Sequence, residues 1–141
     1  MEFRVARPDQ IERIASLYHR IWHETQAPHQ HPDIAKFRDV GFMRDRINIF
    51  YPNIIVALDG EELVGLVVAK EARLSQLFVD GRQRGNGVGQ KMLELAEAKL
   101  IAEGATRVTL NCLVSNDAAK RFYERNGWAV CKTETKLGQT H

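Results

Sequence analysis

Gly81, Gly85, Gly87 and Gly89 crowd the stretch FVDGRQRGNGVGQKMLELAEAKL, directly ahead of an apolar helical pattern. At a helix start several backbone N–H groups lack intrahelical acceptors and the helix dipole is positive, so an anion placed there gains hydrogen bonds. Glycines let a phosphate come close. Spacing excludes two familiar phosphate loops: a dinucleotide fingerprint on Gly85 and Gly87 needs glycine where Gln90 stands, and no Gly-Lys-Ser or Gly-Lys-Thr follows as a P-loop requires. A second segment, NCLVSNDAAKRFYERNGW, reads as a short helix stopped by Gly127, with Asn116 just ahead of it and Tyr123 within it. On residue type alone, Asn116 also serves as a helix N-cap and Tyr123 as a half-buried core aromatic.

The elements that position these residues follow from periodicity. Glu2 to Ala6 alternate like an edge strand, and Pro8 suits the first turn of a helix whose face is Ile11, Ile14, Ala15, Tyr18, Ile21 and Trp22, with an end expected near Trp22. HETQAPHQHP breaks that pattern, and a second helix is predicted through Ile34, Phe37, Val40 and Met43. NIIVAL, the turn DGEE and LVGLVVAK predict a hairpin, followed by a strand RLSQLFV. Val88, Met92, Leu95, Ala96 and Leu100 mark a long helix closing near Gly104; then come a strand RVTLNCLV, a short helix DAAKRFYERN stopped by Gly127, and a strand WAVCKTET. The predicted order is βααβββαβαβ, over one domain spanning residues 1–141, a length that allows a substantial core.

Read as R-x-x-G-x-G, Arg84, Gly87 and Gly89 resemble the pyrophosphate-binding signature of the GNAT superfamily of acyl-CoA-dependent N-acyltransferases, and the Asn116-to-Trp128 segment resembles that family's second motif. The element order is similar over nearly the whole chain. The resemblance implies a mixed α/β fold: a central, mostly antiparallel twisted sheet with helices on both faces. It further implies acetyl-CoA as co-substrate, its pyrophosphate cradled by the amides of Arg84, Gly85, Asn86, Gly87, Val88, Gly89 and Gln90. Phe78 and Val79 would pair through their backbone with the pantetheine arm, Asn116 would bond pantetheine or cap the helix, and Arg82, Arg84 or Lys120 would reach nucleotide phosphates.

The activity so implied is transfer of acetyl to a primary amine of a small molecule or peptide, with Tyr123 as the acid for the departing sulfur and the N–H of Phe78 or Val79 polarising the carbonyl. Many members carry a carboxylate base on the preceding strand; here Ser75 and Gln76 hold those positions. Glu71, Glu24, His23, His29 and His31 are left as bases acting through water. A lysine-like amine costs about 4.6 kcal/mol to deprotonate at pH 7 and an α-amine about 1.4, so weak-base machinery favours a low-pKa amine. The missing carboxylate also admits another reading, an acyl-CoA-binding regulatory or protein-interaction domain. After Gly127 the sequence runs only to His141, room for one strand where the family adds a closing hairpin, so an open sheet edge and a homodimer are expected.

Composition narrows the remaining classes. Twenty basic against 18 acidic residues, a net charge of +2, show no excess that would point to nucleic acid. Cys112 and Cys131 lack paired spacing, no apolar signal core opens the sequence, and LVGLVVA is far short of a membrane span, so the expectation is a cytoplasmic protein with no membrane partner. His19 and His23, one helical turn apart, with His29 and His31 beyond, are read as surface or substrate-site residues, and no metal is expected.

Overall fold

The structure, a computed structural model, describes residues 1–112, 117–128, 130–133 and 138–140. Along the chain these form β1 (Glu2–Val5), α1 (Ile11–Thr25), α2 (Pro32–Phe37), α3 (Val40–Phe50), β2 (Ile54–Asp59), β3 (Glu62–Lys70) and β4 (Arg73–Val79). There follow α4 (Val88–Ala102), β5 (Thr109–Cys112), α5 (Asp117–Arg125), β6 (Val130–Thr133) and β7 (Gly138–Thr140). The strands make one sheet in the order β1-β2-β3-β4-β5-β7-β6, antiparallel throughout except for the parallel β4–β5 neighbours. The expected mixed, mostly antiparallel sheet is present.

β3 reads as an unbroken apolar run because both of its faces are covered. Leu66 and Val68 join the core beneath α1 and α3 with Ile14, Tyr18, Ile21, Met43, Ile47 and Phe78, whereas Val67 and Ala69 join the core beneath α4 with Met92, Leu93, Ala96 and Leu100. Alternate side chains of a strand point to opposite faces, so a strand sandwiched between helix layers must be apolar at every position. Each such side chain contributes about 1.5–3 kcal/mol when fully buried. Sheet and helices thus form a stiff frame around β4.

Three expectations need correction. α1 runs to Thr25, past Trp22, and Thr25 Oγ1 donates to Ile21 O at 2.7 Å. The single helix expected through Ile34, Phe37, Val40 and Met43 is two, because Arg38 leaves helical geometry and the Asp39 carboxylate caps α3 by accepting the Phe42 N–H at 2.8 Å. Ile34 and Phe37 imitate the helical period, yet they are 40% and 76% exposed. The chain also closes with two strands. β7 pairs with β5 and β6 pairs with β7, so strands of three and four residues fit a hairpin into a stretch long enough for one ordinary strand.

Candidate active site

The site begins with an irregularity in β4. Leu74 pairs with Ala69 and Gln76 with Val68, which leaves Ser75 without a counterpart on β3. An extra residue of this kind bends its strand and sharpens the local twist. Beyond it β4 parts from β5: among the described residues the two strands pair only at Arg73↔Thr109 and Leu74↔Leu110, while Asn111 and Cys112 pair with β7.

Which main-chain groups face that gap follows from alternation. The Asp80 N–H donates to Val64 O on β3 at 2.8 Å. Two-residue periodicity puts Phe78 and Gln76 on the same side, opposite Leu66 and Val68, and turns the N–H and C=O of Leu77 and Val79 toward the gap. Arg84 Nη2 donates to Val79 O from that side at 3.2 Å. Of the two residues assigned to the pantetheine arm from the sequence, Val79 therefore presents its backbone to the gap; Phe78 instead sends its side chain into the core beneath α1. Leu77 takes the other backbone position.

Asp80 then fixes the start of the glycine loop. Its side chain is 3% exposed, and it accepts the Arg82 N–H at 3.0 Å and pairs with Arg20 Nη2 at 2.8 Å and Arg82 Nη2 at 3.0 Å. Arg82 also pairs with Glu62. The Arg82 hydrogen bonds, then that of Arg20, hold the Asp80 carboxyl far below the usual carboxylate range, so Asp80 is a permanent anion and no base. Sequence reading missed it. Its only signal was a carboxylate standing between a strand and a loop that carries Arg82 and Arg84. Arg82, held by two carboxylates, serves the loop's shape.

Past this anchor, Arg84 N–H donates to Gly81 O and Asn86 N–H to Gln83 O, both at 3.3 Å, while Lys91 N–H donates to Gly87 O at 3.0 Å. Helix geometry leaves the amides of Val88, Gly89 and Gln90 without intrahelical acceptors. Gly87 is the N-cap, with φ of 78° and no side chain to satisfy them; Gly85 has φ of 88°. An L residue in that region costs roughly 1–2 kcal/mol. Gly89 answers a different need: a Cβ there would meet the Phe122 ring at 3.3 Å and Val79 Cγ2 at 3.7 Å, so its bareness lets α4 seat against both α5 and the end of β4.

Tyr123, beside Phe122, is 9% exposed in the layer shared with α4, its ring edge-on to Phe122 at 5.3 Å and to Trp128 at 6.1 Å. Trp128 Nε1 donates to Glu97 Oε1 at 2.7 Å, tying the end of α5 to α4. Asn116 lies outside the described residues. Of the bases named from the sequence, His23 Nε2 donates to Arg38 O at 2.7 Å, His31 Nδ1 accepts the Asp33 N–H that opens α2, and Glu24 pairs with Arg20. Burial, then the neighbouring His23, lowers the His19 pKa. Among the described residues no three His, Cys, Asp or Glu side chains gather as metal ligands.

Glu71 has a distinct place. With Ala72 it makes the two-residue turn between β3 and β4, both in the left-handed region at φ of 54° and 64°. It lines a cleft of about 240 Å³ together with Phe50, Val68, Lys70, Arg73 and Ser75. The cleft lies on the α3 side of the sheet, where β4 starts to bend, whereas the glycine loop opens α4 on the other side. The cleft and the glycine loop therefore stand on opposite faces of the sheet at β4.

Comparison with known proteins identifies the family. The Acetyltransferase (GNAT) family model matches residues 12–128. A mycothiol acetyltransferase of Corynebacterium efficiens is 27% identical over 116 residues, 79% of this chain and 37% of that protein. N-alpha-acetyltransferase 30 of Schizosaccharomyces pombe is 29% identical over 86 residues, 55% of this chain and 57% of that protein. The chain thus spans little more than a third and little more than half the length of these relatives. Among solved structures, the PaiA N-acetyltransferase of Thermoplasma acidophilum in complex with coenzyme A superposes with a TM-score of 0.82 at 17% identity, covering 99% of this chain and 96% of that one. The apo form of YjaB from Escherichia coli gives 0.73 at 23%, covering 99% and 95%. Since the family model spans both the loop at α4 and the α5 segment through Trp128, the chain belongs to the GNAT acetyltransferase family.

Proposed function

We propose that the chain transfers an acetyl group from acetyl-CoA to a primary amine of a small molecule or peptide by direct attack. The observation that carries this reading is the parting of β4 and β5 after Leu74, next to a helix start whose amides are uncommitted. The amides of Gly85 and of Gly87 to Gln90 hold the pyrophosphate, the Asn86 N–H being already given to Gln83 O, and the backbone of Leu77 and Val79 pairs with the pantetheine arm as a strand would. Acetyl-CoA supplies the activated thioester. The Leu77 N–H, first beyond the bulge to face the gap, polarises the acetyl carbonyl.

In the reaction the acetyl carbon forms a bond to the amine nitrogen and its bond to sulfur breaks. The nitrogen loses a proton to solvent and the sulfur takes one from the Tyr123 hydroxyl, which solvent then restores. Free tyrosine, with pKa near 10 against about 8.5 for a thiol, transfers that proton uphill by about 2 kcal/mol, so much of its effect is a hydrogen bond that strengthens as charge builds on sulfur. Ser75 and Gln76 offer no carboxylate, and Glu71 at the rim of the cleft acts through water. Amines already partly neutral at pH 7 are therefore favoured, by up to about 3 kcal/mol for an α-amine over a lysine-like one.

The test is release of free thiol from acetyl-CoA across a panel of amines of graded pKa. Turnover concentrated in the amines of pKa near 8 supports the reading; reaction of polyamines or lysine side chains alone overturns it. A cytoplasmic setting goes with this reading, supported by two cysteines without paired spacing, and cell fractionation tests it. The case for a homodimer is reduced: β7 covers the β5 edge that a single closing strand would have left open, and the outer strands are β1 and β6. Light scattering at micromolar concentration distinguishes dimer from monomer.

A further inference from the structure

Two arginines on the α1–α3 side of the sheet have aromatic neighbours and, among the described residues, no counter-ion. Arg38 lies over the rings of Trp22 at 4.7 Å and Phe42 at 5.2 Å; Arg46 lies over Phe50 at 5.2 Å and Phe42 at 5.8 Å, and its Nε donates to Tyr18 Oη at 3.1 Å. Both side chains belong to half-buried residues. Of the other arginines on α1, α3 and the loop after β4, Arg20, Arg44 and Arg82 are in ion pairs and Arg13 and Arg84 donate to the carbonyls of Glu61 and Val79, whereas neither Arg38 nor Arg46 takes part in an ion pair among the described residues.

Half-burying two like charges around one phenylalanine ring disfavours both, and cation–π contacts of about 0.5–2 kcal/mol return only part of that cost. Burial, then the charge of Arg46, pulls the Arg38 guanidinium below its ordinary value. An anion between them would relieve the repulsion and meet two rigid donor forks suited to carboxylate or phosphate oxygens.

Their location ties them to the acceptor. Tyr18, which receives Arg46, packs its ring on Phe78 of β4 at 5.2 Å. Phe50, which Arg46 covers, is a wall of the cleft that reaches Ser75, and Arg73 and Lys70 add positive charge to the same cleft against the single carboxylate of Glu71.

Resting on the acetyl-transfer reading, we propose that Arg38 and Arg46 form an anion-binding pair for the acceptor, which is a small amine bearing a carboxylate or phosphate group. Specificity then arises by selecting the anion at α3 and leaving the amine to point toward the bulge in β4. Ethanolamine, which lacks the anionic group, should be a poor acceptor.

The experiment compares O-phosphoethanolamine, β-alanine and ethanolamine as acceptors for the full chain at about pH 9, where a larger share of these lysine-like amines is neutral and the comparison is among amines of similar basicity. The expected result is a kcat/KM at least tenfold higher for one anionic amine than for ethanolamine; whether phosphate or carboxylate wins identifies the group. Arg46→Gln should raise KM for that amine by tenfold to a hundredfold with little change in kcat, and Arg46→Lys should recover part of it. Ethanolamine used as well as both anionic amines, or the same preference in Arg46→Gln, overturns the proposal. A binding readout guards against a misfolded variant: in a Trp128→Phe background, Trp22 under Arg38 is the sole tryptophan, and O-phosphoethanolamine or β-alanine should shift its fluorescence saturably where ethanolamine does not. No saturable shift with either anionic amine overturns the proposal. CoA uptake with no transfer to any amine would sink the acetyl-transfer reading, while the Trp22 titration still decides the anion site.

Discussion

Gly89 on α4 and Phe122 on α5 touch where any side chain on Gly89 would intrude: a Cβ built there lies 3.3 Å from the Phe122 ring. This contact brings the mouth of α4 beside the end of β4 and next to Tyr123. Gly89→Ala asks the ring to give by a few tenths of an ångström, whereas Gly89→Val adds two methyl groups in the same place. Overpacking of that kind costs about 1–3 kcal/mol. Thermal melts should show a small loss for alanine and a lower Tm by several degrees for valine. Equal melting temperatures for all three would mean that the helices do not meet as described.

Asp80 links α1 to the glycine loop through Arg20 and Arg82. Its depressed folded-state pKa means that its stabilising effect is complete above the unfolded value near 3.9 and is lost as pH falls through the lower folded value. Asp80→Asn should therefore destabilise the protein at pH 7 by about 1–3 kcal/mol, the smaller end following from the exposure of Arg82 and its screening by solvent. Below pH 4 the Tm difference between variant and wild type should shrink. A difference that stays constant from pH 7 to pH 3 would contradict the ion-pair account.

Tyr123→Phe removes one oxygen from a side chain that is already packed edge-on against Phe122 and Trp128. Turnover at saturating acetyl-CoA should fall by roughly a hundredfold to ten-thousandfold if the hydroxyl serves the leaving sulfur. CoA affinity should hardly change. Near-wild-type turnover would remove Tyr123 from the chemistry and leave it a core aromatic.

Much of the frame was legible in sequence because its signals are long. Val88, Met92, Ala96 and Leu100 repeat over more than three turns of α4, and the unbroken apolar run of β3 marks a strand covered on both faces. The glycine loop was legible through spacing alone. What escaped was local or non-local in ways that periodicity does not record. The closing strands β6 and β7 are too short to alternate, and the break at Arg38 is set by the capping carboxylate of Asp39 under an apolar pattern that continues across it. Ser75 becomes a bulge only once the registers on either side are known. That same register turns the backbone of Leu77, rather than that of Phe78, toward the gap between β4 and β5. Arg38 and Arg46 gain their meaning from Trp22, Phe42 and Phe50, which two different helices bring together.

Isothermal calorimetry of CoA binding to wild type and Gly87→Val tests the central claim most directly. Gly87 holds a φ of 78° with open space around its missing Cβ, so valine changes the aim of the amides with no clash against neighbouring side chains. The account predicts saturable CoA uptake by wild type and at least tenfold weaker uptake by the variant, with both proteins folded. No heat of binding in wild type, or equal affinity in the two, would contradict it.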